Sequence, residues 1–160
     1  GPNYASYDTA RLLFARFNLM NSIAPQNEDL LIDGGIEYWD GFGYQLHTSN
    51  SCYDVVGTDI NATEIIEGGD SLADLELAAS PSQQRLFEGR LARDETGIND
   101  RLRWLARPNP LQFTFELNVP SFLKYDWDGD NDYDDNPTAL GVFGIYRGSD
   151  RQIYWQEVGW

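Results

Sequence analysis

The clearest hydrophobic rhythm in the chain runs through residues 111–119, where Leu111, Phe113, Phe115, Leu117 and Val119 alternate with Gln112, Thr114, Glu116 and Asn118. A period of two sends the two sets to opposite faces of a strand, so this stretch predicts a half-buried strand, ended by Pro120-Ser121. Residues 36–39 and 42–47 are aromatic-rich runs on either side of Asp40-Gly41. Asp-Gly accepts the positive φ that tight turns need, which predicts a β-hairpin. A second hairpin is expected from residues 139–146 and 151–158 around Gly148-Ser149-Asp150, with Gly141 and Gly144 marking a bulge or the close approach of another backbone.

Elsewhere the pattern is less decisive. Asp8-Thr9 offers a helix cap for residues 11–20, yet Leu13, Ala15, Phe17 and Leu19 also alternate as a strand would, and the strand is preferred because strand-like segments follow. Residues 25–28 read as a loop, and 30–32 as an apolar run that precedes Gly34-Gly35. Between residues 54 and 100 the signals weaken, leaving short strand candidates at 75–78 and 86–91 between Gly- and Pro-containing breaks. Short strands separated by turns, with no long helical pattern, predict an all-β fold, specifically a β-sandwich of immunoglobulin-like or jelly-roll-like type.

A chain of 160 residues fits one domain with its own core. Gly1-Pro2 matches what a protease leaves behind when a tag is removed, so residues 3–160 are expected to form the single domain, the C-terminal piece of a larger surface protein. The net charge of −15 repels phosphate backbones and anionic lipid, which excludes nucleic acid as a partner. No run of 18 apolar residues is present, so membrane insertion by this fragment is not expected. Cys52 is the sole cysteine, which rules out an internal disulfide. It is expected as a small buried hydrophobe, the alternative being a bridge to a partner chain or another domain.

Charge is concentrated late in the chain. Asp126, Asp128, Asp130, Asp132, Asp134 and Asp135 place six carboxylates within ten residues. Two unit charges 4 Å apart in water repel by about 1 kcal/mol, and a compact loop sums several such terms. A hard cation removes them. Counted from Asp126, the D-x-D-G-D spacing places Asp126, Asp128 and Asp130 at positions 1, 3 and 5 of a calcium loop, the Asp132 main-chain oxygen at position 7 and Asp134 at position 9. Asn131 occupies position 6, where a left-handed turn is needed. Pro137 stands at position 12 in place of the bidentate Glu, so Asp135 or a distant group must complete the shell. The expectation is a Ca²⁺ site of extracellular type, with a dissociation constant of roughly 10⁻⁴ to 10⁻³ M. A solvated acidic turn without an ion is the alternative.

Catalytic chemistry lacks its parts. His47 is the only histidine and sits in no triad motif, and the chain has no nucleophile elbow, phosphate-binding loop or dinucleotide fingerprint. No catalytic residue and no cofactor other than calcium is expected. The aromatic residues Tyr38, Trp39, Phe42 and Tyr44 on one hairpin, or Tyr146, Tyr154 and Trp155 on the other, are expected mainly in the core, with stacking on sugar rings as the second reading. Trp127, inside the acidic loop, either folds back on it or projects outward as a contact residue.

Residues 125–137, 143–151 and 153–158, with Ala15-Arg16-Phe17-Asn18-Leu19-Met20-Asn21, Glu37-Tyr38-Trp39-Asp40-Gly41 and Asn50-Ser51-Cys52 nearer the front, resemble the C-terminal domain of the MSHA biogenesis protein MshQ family, encoded with the mannose-sensitive haemagglutinin type IV pilus. The likeness covers both ends of the chain and leaves residues 59–106 unmatched. It implies a secreted, pilus-associated bacterial surface protein, extracellular, with pilus minor subunits or other domains of the same protein as partners. The expected role is a non-enzymatic, calcium-stabilised domain in adhesion or pilus-tip assembly. Alternatives are a carbohydrate-binding module that holds a cell-surface glycan and a polysaccharide-acting enzyme.

Overall fold

The computed structural model describes residues 15–50, 52–91 and 101–144. These form strands, turns and single-turn 3₁₀ segments with no α-helix among them, so the all-β expectation holds. A four-stranded sheet has the order β2 (Ser22–Ala24), β11 (Thr138–Phe143), β10 (Leu111–Leu117), β7 (Ile60–Glu67). β10 pairs antiparallel with β11 and β7, and β2 joins β11 in parallel. A three-stranded antiparallel sheet has the order β1 (Ala15–Leu19), β4 (Gly34–Trp39), β5 (Tyr44–Leu46). Two small antiparallel ladders, β3 (Leu30–Leu31) with β9 (Arg103–Trp104) and β6 (Asp54–Val56) with β8 (Gln83–Arg85), complete the described strands.

β10 behaves as its pattern dictates. Leu111, Phe113, Phe115 and Leu117 are buried and the residues between them are half-exposed. Phe113 and Phe115, with Phe143 of β11 and Phe17 and Ile36 of the other sheet, belong to one buried cluster. Trp104 closes it with its ring edge-on to Phe113 (5.4 Å) and Phe115 (5.8 Å). Each large apolar side chain taken wholly out of water stabilises the fold by about 1.5–3 kcal/mol. The glycine within β11 and the one just after it differ in cause. Gly141 pairs with Phe113 across the ladder, and a Cβ there would stand 2.6 Å from the phenyl ring. Gly144 has φ +61° and lies against the backbone of Gln26, the close backbone approach expected of it.

The 36–47 hairpin forms as predicted, with the Asp40 carboxylate accepting the amides of Phe42 and Gly43 at 2.8 and 3.0 Å across the turn. The strand reading of residues 10–23 holds over its described part, as β1 and the start of β2. Gly34-Gly35, which follow the apolar run, open β4, where their backbones pair with Leu19 and Asn18 of β1. Other expectations are corrected. Residues 86–91 are not a strand but a tight reversal, with positive φ at Glu88 and Gly89 and a Phe87–Arg90 bridge. Residues 75–78 contribute only an isolated bridge, from Leu77 to Trp104. The strands described between residues 54 and 91 are the short β6 and β8 and the longer β7, whose pairing with β10 slips twice.

Cys52 is exposed, not buried, because its amide and that of Tyr53 are held by the Asn50 side chain in a surface turn. Gln84 is the buried polar residue of the described set. Its amide donates to the Leu91 carbonyl (2.7 Å) and its oxygen accepts the Leu102 amide (2.9 Å), tying two otherwise separate segments together. Strand 151–158 of the second hairpin, with its aromatics, lies outside the described residues.

Candidate functional site

The acidic loop joins β10 to β11, two neighbours in the main sheet, and is closed by an antiparallel bridge in which Tyr125 and Asp135 exchange amide hydrogen bonds of 3.2 and 3.0 Å. Its exit is anchored by Asn136, whose amide donates to Glu116 (3.0 Å) and Asn118 (3.2 Å) while its oxygen accepts the Val119 amide (3.0 Å). The acidic run is thereby mounted on the end of β10, whose alternate side chains are buried.

Within the loop the carboxylates first satisfy the backbone. Asp126 Oδ2 accepts the Asn131 amide at 3.0 Å, Asp128 Oδ1 that of Asp130 at 3.1 Å, and Asp130 Oδ1 that of Asp132 at 2.8 Å. Asp135 Oδ2 accepts from both Trp127 (2.9 Å) and Asp128 (3.1 Å). Asn131 has φ +72°, the left-handed turn expected at position 6, and Gly129 has φ +80°. These bonds coil the loop so that one oxygen each from Asp126, Asp128 and Asp135 lies within 4.8 Å of the others. That is no wider than two oxygens on opposite sides of one calcium ion at 2.3–2.6 Å. Asp130, Asp132 and Asp134 do not join this trio among the described residues.

Two features test whether the trio fits a cation. Asp126 Oδ1 is out of contact with water and has no hydrogen-bond donor, a costly state for a carboxylate oxygen that has nothing to coordinate. The acids also crowd one another. At Asp128 the Asp130 amide pulls the pKa down, but desolvation and the charges of Asp130 and Asp135 outweigh it and the net direction is up. At Asp134 the charge of Asp132 leads, with desolvation and then Asp135 and Asp130 behind it, and the pKa is again raised. The donor set is all oxygen, as a hard cation requires.

Aromatic residues link the loop to the three-stranded sheet. The Tyr125 ring is edge-on to Tyr44 (5.4 Å), Trp127 (4.9 Å) and Tyr133 (5.4 Å), and Tyr44 is edge-on to Trp39 (5.4 Å). The Arg16 guanidinium lies 3.6 Å from the Tyr44 centroid, 4.6 Å from Tyr125 and 4.9 Å from Trp127, and is held by Glu37 at 2.9 Å. Edge-to-face pairs add about 0.5–1.5 kcal/mol each and cation–π contacts from about 0.5 kcal/mol when exposed to about 2 kcal/mol when desolvated. Trp127 therefore folds back onto Tyr125 while staying 38% exposed.

The expectation that the hairpin aromatics are core is overturned. Phe42 is 95% and Trp39 43% exposed, and Tyr38 and Tyr44 are half-buried, because the hairpin tip extends beyond the cluster that fills the interior. His47 is half-buried, edge-on to Tyr38 at 5.4 Å. Arg16, Tyr125, Tyr133 and Asn136 were not singled out from sequence. The only advance signal was that Tyr125 and Tyr133 flank or interrupt the acidic run.

No curated protein and no solved structure matches the chain. No described helix is long and apolar enough to cross a membrane. Residues 13–158 match a family across the middle of the chain as well as its two ends, and by that match the protein belongs to the family DUF6701, fourth domain.

Proposed function

We propose that this chain is a non-enzymatic, calcium-stabilised β-sandwich domain of a secreted, type IV pilus-associated surface protein of the MshQ kind, serving adhesion or pilus-tip assembly outside the cell. The observation that carries the calcium reading is the convergence of Asp126, Asp128 and Asp135, one oxygen from each lying within 4.8 Å of the others, beside a buried Asp126 Oδ1 that has no donor. Asp126, Asp128 and Asp135 would hold the ion, and the Asp132 carbonyl and water would fill the remaining positions. The ion would cancel the repulsion that raises the pKa of Asp128 and Asp134 and fix the loop against the sheet. Its role would be structural, because binding to the folded loop alone adds to folding free energy.

The family description supports a multi-domain parent, since it names a fourth domain. The net charge of −15 supports a setting where calcium is abundant and nucleic acid is not the partner. Thermal unfolding with excess calcium and with chelator tests the reading. Chelation is expected to lower the melting temperature, and Asp128→Ala to abolish that response. Identical melts with and without calcium would remove the structural ion.

A further inference from the structure

Two grooves meet at Trp39. One, of about 830 Å³, runs between the β4–β5 hairpin and the acidic loop and is lined by Trp39, Tyr44, Lys124, Tyr125 and Tyr133. The other, of about 550 Å³, is lined by Trp39 together with Tyr38, Asp40, His47 and Thr48. Ala15 and Trp39 line both, so the two depressions adjoin at Trp39. Each is within the roughly 300–1,000 Å³ typical of small-ligand sites, and together they form a track longer than a single ring would need.

We infer that this track binds a neutral oligosaccharide, with Trp39 as the central stacking platform, Tyr133 as a second one and the polar ends as hydrogen-bonding groups. The inference rests on the proposed adhesive role and names its ligand class. Three observations support it. Trp39 is 43% exposed, Tyr133 61% and Phe122 52%, so aromatic residues lining the groove keep surface open to a ligand. The rings are propped rather than loose, because Tyr44 stands edge-on to Trp39 and Tyr125 edge-on to Tyr133, each at 5.4 Å. A sugar ring presents an apolar face of C–H groups to such a surface and hydroxyls around its rim, and Tyr hydroxyls, His47, Thr48, Asp40 and Lys124 supply donors and acceptors for that rim. Burial, ahead of the neighbouring Tyr125, pushes the Tyr44 pKa up and keeps its hydroxyl a donor.

Charge selects among ligands. Lys124 lines one groove, whose wall is the acidic loop at Tyr125 and Tyr133, and Asp40 lines the other. A polyanion meets Asp40 and the acidic loop and a polycation meets Lys124, whereas a neutral polyol needs neither charge and can accept from Lys124 and donate to Asp40.

Calorimetric titration of the calcium-loaded protein with cellotetraose, maltotetraose, mannotetraose and chitotetraose tests the inference, with a hyaluronan tetrasaccharide and tetralysine as charged comparators. At least one neutral sugar is expected to bind saturably, with at least tenfold weakening in Trp39→Ala and several-fold weakening in Tyr133→Ala. Phe42→Ala, at the hairpin tip and in neither groove lining, is expected to leave affinity unchanged. Binding by none of the four neutral sugars overturns the inference, as does tighter binding of either charged comparator or wild-type affinity in a folded Trp39→Ala protein. The calcium reading is judged separately by melting without sugar. A calcium-responsive melt with no sugar binding removes the track and leaves the ion, and sugar binding with an unresponsive melt does the reverse.

Discussion

β10 and the acidic loop that follows it are consecutive in the chain and are held together by opposite means. In β10, alternate side chains enter a dry cluster, and each contact is with a neighbour that also prefers to leave water. In the loop, side chains of one charge are brought close, backbone amides satisfy part of each carboxylate, and the remaining repulsion raises the pKa of Asp128 and Asp134. Carboxylates elsewhere show the contrast. Asp54 is held down by the Arg85 guanidinium, Asp74 by the Ser71 amide and hydroxyl, and Asp40 by the amides of Phe42 and Gly43. A strand can therefore stabilise itself on folding, whereas a loop of this composition needs something added from outside.

The largest effect should come from the apolar side of this contrast. Phe113→Ala removes a fully buried ring that touches Phe115, Phe143 and Trp104, and about 3–5 kcal/mol of stability should go with it in urea unfolding, equally with and without calcium. A calcium-dependent loss would mean that sheet and loop are not the separable units described. Gln84→Leu leaves the Leu91 carbonyl and the Leu102 amide without their buried partner, for an expected loss of about 2–4 kcal/mol, again indifferent to calcium.

The loop sits next in size. At a calcium concentration of about 100 times the dissociation constant, binding should add about 2.7 kcal/mol, read as the melting shift between calcium and chelator. Substitution resolves which acids matter. Asp126→Asn and Asp135→Asn should suppress the calcium response, whereas Asp134→Asn, outside the trio, should retain it and raise the stability of the calcium-free protein by relieving repulsion with Asp132. Equal loss from all three would restore the six-carboxylate site expected from spacing alone.

The smallest effect is in pH. Asp40, Asp54 and Asp74 have folded pKa values below the ordinary 3.8, so the stability each contributes is fully present above 3.8 and is lost as pH falls through its folded value. Asp128 and Asp134 have the opposite sign. Their folded values lie above 3.8, so in calcium-free protein stability declines as pH rises through the window just above 3.8. Melting curves in chelator should show that decline for wild type, and Asp134→Asn should flatten it. An unchanged slope in the variant would count against charge crowding in the loop.

Much of this was legible from residue order. The alternation at 111–117 became the burial of β10 residue for residue, Asp40-Gly41 gave its turn, and the D-x-D-G-D spacing correctly placed the left-handed turn at Asn131. β7 was illegible for a physical reason. Two register slips against β10 leave Thr63 and Ile66 without ladder partners, so the period of two drifts along the strand, and Ala62, Ile65 and Ile66 no longer mark one face. The reversal at residues 86–91 misled because Leu86 and Leu91 are both buried, which looks like a strand in one dimension.

The sequence by itself determined the class of fold, the central strand, the hairpin and the place where negative charge gathers, because each depends on side chains within about ten residues of one another. Only the tertiary structure decided that Asp135 and not Asp130 stands with Asp126 and Asp128, since the Tyr125–Asp135 bridge closes the loop at that point. It alone also placed Arg16 of β1 against Tyr125 and Trp127 and opened the grooves that adjoin at Trp39. Residues more than a hundred positions apart meet there because two sheets share one core, and no local pattern records where their surfaces will touch.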